Sequence, residues 1–128
     1  MKTRTRLIPA LTVLVAMAMM APAVSAQPTV NLEMQLLNTD PVPVEAGEPA
    51  DIRLELVNEG SSPAEDVTVE LLDYYPFTVK PDRKTTYELG EVQTAEQYHI
   101  TTEVLVAEDA PDGMNDFRVR ITHEDASR

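Results

Sequence analysis

The sequence predicts an all-β fold, an antiparallel β-sandwich of about six to seven strands. Apolar and polar residues alternate with a period of two in short runs, which is the pattern of strands with one buried face. Clusters of Gly, Pro, Asp and Asn separate these runs, as turns between antiparallel strands require. No segment after residue 26 shows the 3.6-residue period of an amphipathic helix.

Residues 1–26 are predicted to be a secretory signal peptide in helical form, and residues 27–128 a single domain. Three basic residues come first, then an apolar run over 7–22, then the small residues 24–26. This apolar run is shorter than the roughly 20 residues of a membrane-spanning helix. We expect cleavage before Gln27 and an extracellular or cell-surface location. A retained N-terminal anchor is the alternative.

The predicted mature chain is strongly acidic, with seven basic residues against 22 acidic ones and a formal net charge of −15. Nucleic acid and anionic lipid need basic patches, so neither is an expected partner. We expect membrane association only through the signal peptide or a missing C-terminal anchor. Dense acidic surface is also found in halophilic proteins, so a salt-loving, archaeal-type source and an ordinary acidic extracellular domain both remain open. The chain has no Cys and hence no disulfide.

The predicted strands follow the alternation along the chain. Their apolar residues are Val30, Leu32, Met34 and Leu36; Ile52, Leu54 and Leu56; Val67, Val69 and Leu71; Phe77 and Val79; Tyr98, Ile100, Val104 and Val106; and Phe117, Val119 and Ile121. Turn clusters lie at 40–43, 46–49, 58–63, 80–82 and 109–113. We expect positive φ angles at Gly47 and in the turn 58–60, and a return strand that begins at Pro63.

The order of these motifs is similar to a known family over residues 28–123. The matching segments are Glu45-Ala46-Gly47-Glu48-Pro49, residues 52–60, residues 63–71, Leu89-Gly90-Glu91-Val92, and Asp109-Ala110-Pro111-Asp112-Gly113 before the strand at 117–121. Together they resemble the S-layer-type and CARDB-like immunoglobulin-fold domains of archaeal or bacterial cell-surface proteins. About 100 residues is also the usual size of an immunoglobulin-like unit.

This resemblance implies an exported, non-catalytic structural or adhesion module of the cell envelope. Its implied partners are other envelope or surface proteins, with self-association through an open sheet edge. The alternative is a secreted module that binds a glycan or protein ligand as an accessory to a larger extracellular protein.

The C-terminus departs from the family pattern. Such domains commonly continue with another strand, whereas this sequence stops at Arg128, soon after the last predicted strand. An absent final strand would leave an exposed sheet edge, which proteins normally cover. We expect that the sequence is truncated, and a strand from a partner is the alternative explanation.

Residues for catalysis are sparse. The chain has two imidazoles, His99 and His123, and no thiol nucleophile. His99 lies between Tyr98 and Ile100, so it should point to the polar face of a strand, and His123 should lie in a frayed tail. We assign no catalytic, cofactor-binding or metal-binding residue and expect no cofactor.

Two segments are the candidates for binding. The loop from Glu108 to Asp116 offers carboxylate oxygens of the kind that Ca²⁺ prefers, although a plain connecting loop is the stronger interpretation. The segment Tyr74-Tyr75-Pro76-Phe77 holds three of the six aromatic residues. We expect Phe77 in the core and Tyr74 or Tyr75 as the ring open to solvent, although packing of these rings is a stronger interpretation than a contact surface.

Overall fold

The computed structural model describes residues 23 and 25–125, and these residues form the predicted antiparallel β-sandwich. Seven strands follow one another, and the described residues contain no helix. The strands are β1 (Leu32–Asp40), β2 (Pro49–Asn58), β3 (Ala64–Leu72), β4 (Phe77–Val79), β5 (Thr86–Val92), β6 (Gln97–Val106) and β7 (Arg118–Asp125). The predicted signal peptide lies almost entirely outside the described residues. Within the described part, nothing helical could cross a membrane.

Two sheets build the sandwich. The four-stranded sheet has the order β1-β2-β6-β4, the three-stranded sheet has the order β5-β3-β7, and every pairing is antiparallel. A division into four and three strands is that of an immunoglobulin-like sandwich. The predicted fold class is therefore confirmed.

Among the described residues, the buried hydrophobic residues of the core are all aliphatic. These thirteen residues are Ala50, Ile52, Leu54, Leu56, Ala64, Val67, Val69, Leu71, Val79, Val92, Ile100, Val104 and Val106. Most of them were predicted from the alternation in β2, β3 and β6, because alternate side chains of a strand face the same side of its sheet. Leu36 is the exception among the predicted residues, since 57% of its surface is exposed.

A buried asparagine ties the two sheets together at one end. The side chain of Asn58 is fully buried and donates from Nδ2 to the carbonyl oxygens of Ser62 (2.9 Å) and Val92 (3.1 Å). Its Oδ1 accepts from the backbone N–H groups of Gly60 (3.0 Å) and Asn31 (3.4 Å). The amide thus satisfies its hydrogen-bonding groups inside the protein, as burial of a polar side chain requires.

Gly60 has a different role from the one predicted. Gly47 has the expected positive φ of 79°, but neither Asn58 nor Gly60 does. A Cβ atom on Gly60 would instead lie 2.2 Å from the carbonyl oxygen of Thr29 and 2.6 Å from the nitrogen of Asn31. Glycine is needed here because the chain that precedes β1 crosses directly over it.

Two strand assignments also differ from the sequence prediction. Strand β5 was not predicted as a separate strand, because the mixed sequence Thr86-Tyr87-Glu88-Leu89-Gly90 leaves only a short alternation. Strand β7 continues to Asp125, so the prediction that His123 lies in a frayed tail was wrong. His123 faces Asp66 and Val67 across a bulge in β3, whose extra residue shifts the register between Glu65 and Thr68.

Candidate functional site

The two candidate binding segments meet at one end of the sandwich. The hydroxyl of Tyr75 donates a 2.8 Å hydrogen bond to the backbone carbonyl of Asp109, 34 residues away. Strand β4 carries the aromatic segment to β6, and the acidic loop follows directly after β6. We call residues 74–77 and 108–117 together the aromatic end.

The aromatic rings divide between packing and exposure. Phe77 is half-buried and packs edge-to-face against Phe117, with 6.2 Å between ring centroids. Tyr75 and Tyr74 are 56% and 38% exposed. The guanidinium of Arg118 lies 3.5 Å from the ring centroid of Tyr74, a cation–π contact that holds this ring in place. The prediction of an exposed tyrosine is confirmed, and Phe77 packs against the margin of the core.

The Tyr75 hydroxyl is held in its neutral, donating form. Desolvation of the hydroxyl raises the pKa of Tyr75 above its ordinary value of 10.0, and the nearby Asp109 carboxylate adds to the shift. A negative phenolate beside a carboxylate is unfavourable, so Tyr75 keeps its proton to a higher pH than an ordinary tyrosine does. Because its hydroxyl is fixed in this way, the exposed face of the Tyr75 ring has a defined position on the surface.

The acidic loop is closed by its own side chain and backbone groups. Asn115 donates from Nδ2 to the carbonyl oxygens of Pro111 (2.9 Å) and Gly113 (3.4 Å), and Gly113 takes a φ of 99°. Among the described residues, no three His, Asp or Glu side chains are grouped so that they could hold a metal ion. These contacts are those of the plain connecting loop that was the stronger interpretation, and calcium binding at Glu108–Asp116 stays the untested alternative.

His99 lies on the polar face of the four-stranded sheet, as predicted. Its Nε2 is 2.9 Å from Oε2 of Glu55, and Gln35 donates to Oε1 of the same carboxylate at 2.8 Å. Gln35, Glu55 and His99 are direct cross-strand neighbours on β1, β2 and β6. The imidazole is therefore one member of a polar row that joins three strands.

A groove that was not predicted opens along one side of the sandwich. It holds a cavity of about 250 Å³ between β1 and β7. Met34 and Leu36 form one wall, Phe117 and Val119 form the other, and the core residues Ile52 and Leu54 form the floor. We call this cavity the side groove. No sequence signal identifies it, because it arises where the two sheets end and not from any local pattern.

No protein-family model matches the chain, and a search of curated proteins gives no significant match. The similarity to surface-protein modules therefore rests on the motifs described above.

Proposed function

We propose that this chain is an exported, non-catalytic structural module of the cell envelope, similar to the domains of S-layer and CARDB-like surface proteins. It would act as a rigid acidic unit that spaces or joins other envelope proteins. The proposal is supported best by the combination of the predicted signal peptide with a sandwich whose buried hydrophobic residues are aliphatic and whose 22 acidic residues all follow residue 32.

The arrangement of polar groups agrees with a structural role. Asn58 joins the two sheets, the His99–Glu55 pair joins two strands, and Lys80 forms a 2.5 Å ion pair with Glu103 across the sheet. Each of these groups has a partner that stabilises the sandwich. A rigid unit of this kind would hold the envelope proteins that are joined to it at a fixed distance from one another.

Surface labelling of a single cysteine tests the proposed location. The native chain has no Cys, and Met114 is fully exposed, so Met114→Cys gives one accessible thiol. We expect a membrane-impermeant maleimide to label this variant on intact cells. The same variant without residues 2–26 should be labelled only after lysis. Labelling of the full-length variant only after lysis would contradict export.

The alternative function is a secreted module that binds a glycan or protein. The observation in its favour is the aromatic end, where the fixed ring of Tyr75 lies beside the exposed Tyr74 and Leu105. Such rings offer large contact areas at low entropic cost. Glycan-array binding that is lost in the double variant Tyr74→Ser, Tyr75→Ser would support this alternative. No binding by the native chain would remove the glycan-binding form of this alternative.

A further inference from the structure

We infer that the side groove binds one extended segment of a partner protein, which adds a strand antiparallel to β7. The segment would place its apolar residue opposite Val119 into the groove, and its other apolar residues would lie on the inward face of the extended sheet. On its outward face it would carry carboxylates opposite Arg118 and Arg120 and an amine opposite Glu124. This inference rests on the proposed envelope function and names the chemistry of the partner.

The first observation is the state of the four sheet edges. Strand β4 has only three residues, β1 is interrupted by a register shift between Leu36 and Asn38, and β5 contains Gly90 with a φ of 70° beside further register shifts. Short, bulged and irregular edges resist the addition of another strand. Strand β7 has eight residues and contains no Pro, no Gly and no bulge of its own. Among the described residues, only β3 pairs with it.

The second observation is the apolar surface left beside that edge. The inward faces of β1 and β7 are only half-buried at Met34 and Val119, whereas Leu54 and Leu56 on β2 are 3% and 0% exposed. The cavity of about 250 Å³ lies between these two strands. An inserted strand would therefore gain both backbone hydrogen bonds to β7 and apolar contacts in the side groove.

The geometry favours a single strand over a second copy of the sandwich. Sheets in a sandwich pack about 10 Å apart. Strand β1 lies across the groove from β7, above the position that an added strand would take. If two copies paired through their β7 strands in one continuous sheet, the four-stranded sheet of each copy would collide with β1 of the other copy. A lone extended segment avoids this collision.

Charge at the edge specifies the outward face of the segment. Arg118 and Arg120 are two of only six basic residues in 27–125, and both are exposed on the outer face of β7. Arg120 already pairs with Glu70 of β3 at 2.9 Å, and Arg118 stacks on Tyr74. Each guanidinium has five N–H donors, however, and can bind a further carboxylate. Glu124 is exposed at the other end of the same strand. Directly opposed cross-strand residues of opposite charge attract, and like charges repel. An antiparallel partner strand therefore matches β7 with Lys at its start and Glu at its end.

The test uses two synthetic peptides with blocked ends and the chain from Gln27 to Arg128. The complementary peptide reads Lys-Val-Thr-Val-Glu-Val-Glu, and the reversed peptide reads Glu-Val-Thr-Val-Lys-Val-Lys. The reversed peptide has a positive net charge, so long-range attraction to the acidic domain would make it bind more tightly. Pairing of opposite charges across from β7 would instead make the complementary peptide bind more tightly. Amide chemical shifts and hydrogen exchange report where each peptide binds and how tightly.

We expect the complementary peptide to bind at least about tenfold more tightly than the reversed one, because three charged positions change sign together. Alternate amides of β7 should gain protection from exchange. Arg118→Glu should lower the preference for the complementary peptide, whereas Arg53→Glu, the same charge change on the other sheet, should leave it unchanged.

Two results would overturn the inference. One is no protection of β7 amides at millimolar complementary peptide. The other is equal or tighter binding of the reversed peptide, which would show that bulk charge alone attracts it. Neither result bears on export, which is tested separately by surface labelling. A failed inference is thus distinguishable from a failed proposed function.

Discussion

The side-chain amide of Asn58 donates a 3.1 Å hydrogen bond to the backbone carbonyl of Val92, so the end of β2 in one sheet is joined to β5 in the other. The remaining groups of the same amide hold the turn that leads into β3 and the chain that enters β1. One residue therefore fixes how the two sheets meet at this end of the sandwich.

Replacing Asn58 by Ala should destabilise the domain by roughly 2 to 4 kcal/mol, because the partner groups would be left buried without hydrogen bonds. Urea unfolding followed by circular dichroism measures this change. Asn38→Ala is the matched control, since Asn38 is exposed on β1 and should change stability by less than about 0.5 kcal/mol. Equal effects of the two substitutions would contradict the role of Asn58.

Replacing Gly60 by Ala should cost about 1 to 3 kcal/mol through steric overlap with the backbone of residues 29–31. The φ angle of Gly60 is not positive, so the loss would come from the close approach and not from backbone strain. Ser61→Ala, which removes only an exposed hydrogen bond to Thr29, is the neighbouring control. If both variants unfold at the same urea concentration as the native chain, the described crossing is incorrect.

The Lys80–Glu103 pair predicts a loss of stability at alkaline pH. The hydrogen bond that Lys80 donates to the Glu103 carboxylate, and the negative charge of that carboxylate, raise the pKa of Lys80 above 10.5 in the folded protein. A raised pKa means that the folded state binds the proton more tightly, so this stabilisation is complete below pH 10.5 and is lost as the pH rises through the folded-state pKa. Melting temperatures between about pH 8 and pH 12 should therefore fall less steeply for Glu103→Gln than for the native chain. An unchanged slope would refute this assignment.

Salt dependence distinguishes a halophilic domain from an ordinary acidic one. With a net charge of −15 over residues 27–128, repulsion among carboxylates opposes folding and weakens as salt shortens the Debye length from about 10 Å at 0.1 M to about 3 Å at 1 M. We expect the free energy of unfolding to rise from low to molar KCl. The rise should be smaller after replacement of three exposed carboxylates, Glu45→Gln, Glu108→Gln and Asp112→Asn. A flat or falling series would remove the halophilic interpretation.

The sequence predicts the parts of the fold that depend on local alternation. In β2, β3 and β6 the apolar residues recur every second position and are buried, because a strand places alternate side chains on one face. Strand β5 escapes prediction because Gly90 and the register shifts around it interrupt that alternation. Leu36 fits the pattern yet is 57% exposed, and it lies where the register of β1 shifts between Leu36 and Asn38.

The site residues were predicted less completely, for the same physical reason. An exposed ring at Tyr74 or Tyr75 and the place of His99 on the polar face of a strand follow from their neighbours in sequence. The contact between Tyr75 and Asp109, the burial of Asn58 and the side groove depend on residues about 30 or more positions apart. An Asn in a turn cluster gives the same sequence signal whether its amide faces solvent or joins two sheets.

Fractionation of the host cells with intact-mass analysis tests the central claim most directly. The proposal predicts a chain that begins at Gln27 and remains with the washed cell envelope. An intracellular chain that still begins at Met1 would contradict export, and a processed chain found only in the medium would contradict the structural role and favour the secreted binding module.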